Sequence, residues 1–155
     1  MKKLLYFLML LPLAFVFSSC DDDDNKIPDV TIRTTVTNAV MKNNVIYVVQ
    51  GETLGLEVSM INHTNEDGQM GVISFYWDHY LLGEAVTQPY VFEIPTDNQP
   101  LGIHLLQAQM PVYVVDYPIC WGYFDYPVKV VASADELPDS PDEPTITGSV
   151  NLKTN

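Results

Sequence analysis

Hydrophobic and polar positions alternate with a period of two along most of this chain. Leu54, Leu56, Val58 and Met60 are interleaved with Gly55, Glu57, Ser59 and Ile61, the pattern of a strand with one buried face. Ile73, Phe75 and Trp77 alternate with Ser74, Tyr76 and Asp78. His104, Leu106, Ala108 and Met110 alternate with Leu105, Gln107 and Gln109. Phe124, Tyr126, Val128 and Val130 make a fourth series, and residues 30–36, 45–49 and 90–94 read as weaker strands. No helical period is sustained anywhere after the leader. Gln50-Gly51-Glu52, Asn65-Glu66-Asp67-Gly68 and Thr96-Asp97-Asn98-Gln99-Pro100 punctuate the runs as turns or loops. About seven short strands within residues 30–134 predict an all-β sandwich.

The leader follows a different rule. Lys2-Lys3 is followed by fourteen residues, Leu4 to Phe17, that are apolar apart from Pro12. That run is too short for a membrane-spanning helix, which needs about 20 residues, so residues 1–19 read as a secretion signal. The sequence Phe17-Ser18-Ser19-Cys20 resembles the lipobox of bacterial lipoproteins, with Phe17 where leucine is usual. The resemblance implies that Cys20 is lipidated, becomes the first residue of the mature chain and carries several acyl chains. Each buried methylene stabilises attachment by about 0.8 kcal/mol. The other reading leaves Cys20 as an ordinary cysteine beyond a conventional cleavage site. Asp21 to Asp24 repel one another and make residues 20–29 a solvated tether. A cysteine followed at once by acidic residues is similar to the surface-export signal of Bacteroidetes lipoproteins, implying an outer-membrane protein facing the exterior. In enterobacteria an aspartate there marks inner-membrane retention instead.

At the other end, residues 135–144 hold three prolines and five acids, the composition of an extended, exposed linker. Residues 145–155 form a short tail in which Ile146, Val150 and Leu152 share one parity, so it can act as a strand. Processing removes Lys2 and Lys3 and moves the formal charge from −13 to −15. A chain this acidic is a poor partner for nucleic acid or anionic lipid surfaces, which carry the same sign. With Cys20 acylated, Cys120 has no partner for a disulfide. Between Ile119 and Trp121 it reads as a small buried apolar residue rather than a catalytic thiol.

Within residues 45–131 the motifs reach a family. Phe75-Tyr76-Trp77-Asp78, Leu82-Gly83, Pro89-Tyr90 and Leu101-Gly102-Ile103-His104-Leu105-Leu106-Gln107-Ala108 resemble bacterial immunoglobulin-like domains. Those domains carry an aromatic strand ending in Asp-Gly, a Pro-Tyr entering the next strand and a Gly-x-His-x-Leu-x-Ala strand. This chain departs from them where His79 follows Asp78 in place of glycine. The family spans many functions, so the likeness speaks to fold.

Candidate chemistry is sparse. His63, His79 and His104 share no metal-ligand spacing with one another or with Cys120. His104 has inward parity and reads as a core histidine satisfied by a backbone carbonyl, and His79 as an exposed turn residue. Glu66-Asp67 beside Gly68 reads as a solvated loop, with a calcium site as the alternative. No nucleophile elbow or phosphate-cradling loop is present, so neither enzyme activity nor a cofactor is expected. The unusual stretch is residues 112–127, where Asp116-Tyr117-Pro118 recurs as Asp125-Tyr126-Pro127 around Trp121, Tyr123 and Phe124. Prolines interrupt strand ladders, which predicts an irregular or bulged hairpin at a sheet edge. Tyr117, Trp121 and Tyr123 are the candidate ligand-binding residues, suited to a saccharide or a protein partner. Core and edge packing is the other account of the same rings.

The sequence thus predicts a membrane-anchored surface lipoprotein with an immunoglobulin-like β-sandwich, acting as a non-enzymatic binding or assembly module. Two alternatives stand beside it. One is a glycan-binding accessory of a nutrient-uptake system. The other is a structural or adhesin subunit whose tail pairs with an edge of another protein.

Overall fold

The computed structural model describes residues 26–152, so the leader, Cys20 and the acidic run lie outside the described residues. The first strands are β1 (Val30–Thr37), β2 (Val40–Lys42), β3 (Val45–Val49) and β4 (Thr53–Asn62). Then come β5 (Gly68–Met70), β6 (Ile73–Trp77), β7 (Tyr80–Ala85) and β8 (Tyr90–Pro95). The long pair β9 (Gly102–Val114) and β10 (Cys120–Val131) follows, and β11 (Thr145–Leu152) closes the described chain. Every strand run read from the alternation is present, as β1, β3, β4, β6, β8, β9 and β10. The short β2 and β5 and the largely exposed β7 are additional, and the tail forms the strand it was able to form, β11.

An antiparallel layer, β8–β4–β1, packs against a second layer, β7–β6–β9–β10, with β3 lying parallel to the far half of β10. This is an all-β sandwich. Alternation places Ile32, Leu56 and Val58 inward from one layer and Phe75, Leu106, Met110 and Val128 inward from the other, all buried. Burying each such side chain stabilises the fold by about 1.5–3 kcal/mol. Where the layers part, between the outermost strands β7 and β8, Phe75 stacks on Phe92 with ring centroids 4.4 Å apart.

The tail is part of this body. Residues 145–148 pair antiparallel with β1, and residues 149–152 pair antiparallel with β10, so β11 passes from one layer to the other and joins them. The crossing needs close backbone approach. A Cβ on Gly148 would lie 2.9 Å from the Tyr123 carbonyl, and one on Gly122 3.0 Å from Ile32. The preceding acidic segment is exposed yet tied down. Lys42 bonds the Ser140 carbonyl at 2.7 Å and the Asp142 carboxylate at 3.1 Å, and the Asn43 N–H donates to Asp142 at 2.8 Å. The tail is therefore not free: residues 145–148 are already held by β1 and residues 149–152 by β10.

The aromatic hairpin also differs from expectation. It is neither irregular nor at an edge: β9 and β10 pair without a break from Val112–Cys120 to Gly102–Val130, with β6 and β5 beyond β9. Pro127 is accommodated because its missing N–H faces away from β9. The N–H and carbonyl of its partner Leu105 are engaged by Asp78 on the β6 side. On its own outer side, β11 stops pairing at Tyr123 and β3 begins only at Val128, so no ladder bond is lost. Pro111 occupies the matching gap between β5 and β6, and Pro118 lies in the loop between β9 and β10.

Two hairpins close through two-residue turns with positive φ at both central positions, Asn43-Asn44 at 50° and 61° and Asp78-His79 at 49° and 71°. That is the type I′ geometry that matches strand twist. His79 thus adopts the conformation that glycine would take at no cost, and Trp77 still pairs with Tyr80 across the turn.

Candidate ligand-binding groove

Inward placement of Cys120, Gly122 and Phe124 sends Trp121, Tyr123 and Asp125 to the outer face of β10. Strand register then sets their neighbours. Trp121 lies opposite Asn151 of β11, Tyr123 opposite Gln109 of β9, and Asp125 opposite Gln107, which itself pairs with Tyr76 of β6. These side chains line an open groove of about 1060 Å³ on the outer face of the layer, with Ile27 and Leu152 among its lining and His79 at the β6–β7 turn. Tyr123 is 42% exposed, whereas Trp121 is half-buried.

Two hydrogen bonds orient the polar rim. The Gln109 amide N–H donates to the Tyr76 hydroxyl at 2.6 Å, and the Asn151 amide N–H donates to the Tyr123 hydroxyl. Each tyrosine hydroxyl accepts in these bonds and keeps its own proton to donate. The side-chain carbonyls of Gln109 and Asn151 remain as acceptors. Asp125 adds an exposed carboxylate.

Of the three candidate residues, Trp121 and Tyr123 come together in this groove and Tyr117 does not. Tyr117 sits in the loop after β9, half-buried, and packs against the core. Tyr76, Gln107, Gln109 and Asn151 were not singled out by sequence, and Asp125 was noted only within the repeated Asp-Tyr-Pro. Their outward parity was readable, but the register that aligns four strands was not.

The strongest electrostatic feature lies at the β6–β7 turn. His104 Nδ1 is 2.7 Å from Asp78 Oδ2, and His104 Nε2 is 2.8 Å from the Pro100 carbonyl. Both partners are acceptors, so both bonds are made together when the ring is protonated on each nitrogen. Burial pushes His104 toward its neutral form, but the bonds to Asp78 and Pro100 outweigh it and raise its pKa. Burial likewise raises Asp78, and the bonds to His104 and to the Leu105 N–H outweigh it and lower its pKa. Both nitrogens are engaged by partners within the fold. The pair is a structural clamp, with the Pro100 carbonyl in the role expected and Asp78 added.

Cys120 is fully buried, and its thiol donates to the Pro118 carbonyl at 3.4 Å. Burial pushes its pKa up, away from the thiolate a nucleophile needs. His63 meets the Thr31 hydroxyl at 3.2 Å. The Glu66-Asp67 loop is folded by Asn62, whose amide donates to the Glu66 carbonyl at 2.7 Å. Among the described residues, no three side chains of metal-binding type converge.

No family model matches the chain, and no curated protein does. Among solved structures it is similar to the fibronectin(III)-like modules of Clostridium thermocellum CbhA. The match has 16% identity and a TM-score of 0.40, covering 64% of this chain and 98% of that one.

Proposed function

We propose that this chain is a lipid-anchored protein of the outer membrane, facing the cell exterior, that binds a partner through the outer face of β6, β9, β10 and β11 and performs no reaction. The signal, Cys20 and the acidic run support the anchoring and its exterior face. The observation that carries the binding role is the convergence of aromatic and amide side chains from four strands on one open groove. Binding sites combine apolar rings with a few placed polar groups in this way. The rest of the chain supplies rigidity. Groove residues stand on paired strands, whose backbone is fixed by ladders on both sides of β9.

Amide chemical shifts of the isotope-labelled protein, titrated with solubilised envelope and extracellular fractions of the producing cells, test this role. Shifts confined to Tyr76, Gln107, Trp121, Tyr123 and Asn151 are the expected result. Shifts centred on the exposed strand β7, with the groove silent, would place the contact elsewhere.

A further inference from the structure

Resting on the reading of the groove as the contact surface, we infer that its ligand is a neutral glycan, bound along an internal stretch of the sugar chain. Four observations lead there.

The backbone offers little to a ligand. β9 is paired on both sides, by β6 and β10, and residues 120–123 of β10 are paired by β9 and β11. Residues 124–127 of β10 and 149–152 of β11 each leave one side unpaired, but these are short stretches, and Pro127 interrupts the first, so recognition falls mainly to side chains.

Those side chains both donate and accept. One amide N–H each of Gln109 and Asn151 is spent on the Tyr76 and Tyr123 hydroxyls. Their second N–H groups, the Gln107 amide and the two phenolic hydroxyls are left to donate, and the amide carbonyls and the Asp125 carboxylate to accept. The ligand that satisfies such a rim carries many groups that donate and accept at the same atom, as sugar hydroxyls do.

Flat rings complete the match. Trp121 and Tyr123 stand two residues apart on one face of β10, roughly 7 Å along the strand, with Tyr76 across the groove. Rings at that spacing can each cover the apolar C–H face of a sugar while hydroxyls at the sugar's edge reach the amides. The groove is open rather than closed, which suits passage of a chain more than capture of one end.

Charge selects among glycans. No Lys or Arg lies among the described residues that line the groove, Asp125 is acidic, and the chain as a whole is strongly negative. Sulfated or uronic-acid chains meet repulsion.

The test is calorimetric titration of the full chain, held in a detergent with no sugar head group, against cello-, xylo-, manno- and maltohexaose and against hexagalacturonate. At least one neutral hexasaccharide should bind, and the charged one should bind at least tenfold more weakly or not at all. Tyr123→Ala and Asp125→Ala, both at exposed positions, should each weaken the neutral ligand by about tenfold or more without lowering the melting temperature. Trp121→Ala is the larger lesion, and circular dichroism accompanies it to show that the fold persists. Binding that survives Tyr123→Ala and Asp125→Ala unchanged would overturn the site. Preference for hexagalacturonate, or silence toward every neutral chain, would overturn the ligand class. If silence is joined by groove-centred shifts with a protein from the envelope fraction, the binding role stands and the glycan inference alone falls.

Discussion

Asp78 and His104 lie 26 positions apart and meet with 2.7 Å between Oδ2 and Nδ1, locking the β6–β7 turn onto the start of β9. The other Asp78 oxygen accepts from the Leu105 N–H at 2.8 Å, and the Asp78 N–H donates to the Leu105 carbonyl at 2.9 Å. One aspartate therefore extends the strand pairing past Trp77 and holds a turn in which His79 stands where glycine would be easiest.

Stability should be pH-dependent in a defined window. The His104 pKa is raised above its ordinary 6.5, so its contribution is complete below 6.5 and is lost as pH rises through the folded value. The Asp78 pKa is lowered below 3.8, so its contribution is present above 3.8 and is lost as pH falls through the folded value. The pair thus stabilises most between these limits. Melting temperatures of wild type and Asp78→Asn, measured from pH 3 to 9, should differ most near pH 5 and differ less at pH 9, where the part that depends on protonated His104 is gone. Parallel curves across the range would contradict the linkage.

Trp77 is 4% exposed, on the same strand face as Ile73 and Phe75. Trp77→Ala should cost about 3–5 kcal/mol, read as a lowered urea midpoint. The indole Nε1–H has no hydrogen-bond partner among the described residues, so Trp77→Phe should cost less than half as much. Equal costs would mean that the indole N–H has a partner after all.

The last strand should be indispensable. Ile146 is fully buried on β11, opposite Thr34 of β1 and two residues before Gly148 at the crossing between layers. Ile146→Ala should cost about 2–5 kcal/mol. A chain ending at residue 144 exposes the edges of β1 and β10 together, and size-exclusion chromatography should show it associating or unfolded. A monomeric, stable truncation would show the strand to be an ornament on a complete sandwich.

These outcomes mark where sequence reading reached and where it stopped. Alternation is local, so the inward faces of β4, β6, β9 and β10 were legible, Trp77 among them. Pairing is not local. Nothing in the Pro-rich segment 135–144 signals that the next residues return between β1 and β10. The prolines misled for the same reason. A missing N–H disrupts a ladder only if it points at a neighbour, and Pro127 points into the gap between β11 and β3. His104 was readable as an inward histidine with a carbonyl partner, but Asp78 required the β6–β9 register. In the groove, the rings of Trp121 and Tyr123 drew attention by type. Their partners Gln107, Gln109 and Asn151 are ordinary polar strand residues until register sets them side by side.

Anchoring should depend on a single atom, the Cys20 sulfur. Cys20→Ser should abolish partitioning of the protein into a detergent phase and leave an unprocessed or soluble product. Replacing Asp21 to Asp24 with alanine should keep lipidation but remove cleavage by protease added to whole cells. Unchanged partitioning of the serine variant would end the lipoprotein reading. Protection of the wild type from that protease would place it inside the envelope.

Tyr117 and Tyr123 offer the sharpest separation of packing from binding, because one loop residue and one strand residue of the same type were both candidates. Tyr117 packs against the core from the loop after β9, and Tyr123 stands 42% exposed in the groove. Tyr117→Ala should cost about 2 kcal/mol of stability, since part of a large apolar surface is uncovered, and should leave the groove's affinity for its ligand unchanged. Tyr123→Ala should shift stability by only about 0.5 kcal/mol. Its loss should fall on binding instead, because the ring and the hydroxyl held by Asn151 both face the ligand. Chemical denaturation and ligand titration on the two variants decide the matter. The reverse pattern, with Tyr123→Ala unstable and Tyr117→Ala unable to bind, would move the contact surface from the sheet face to the loop.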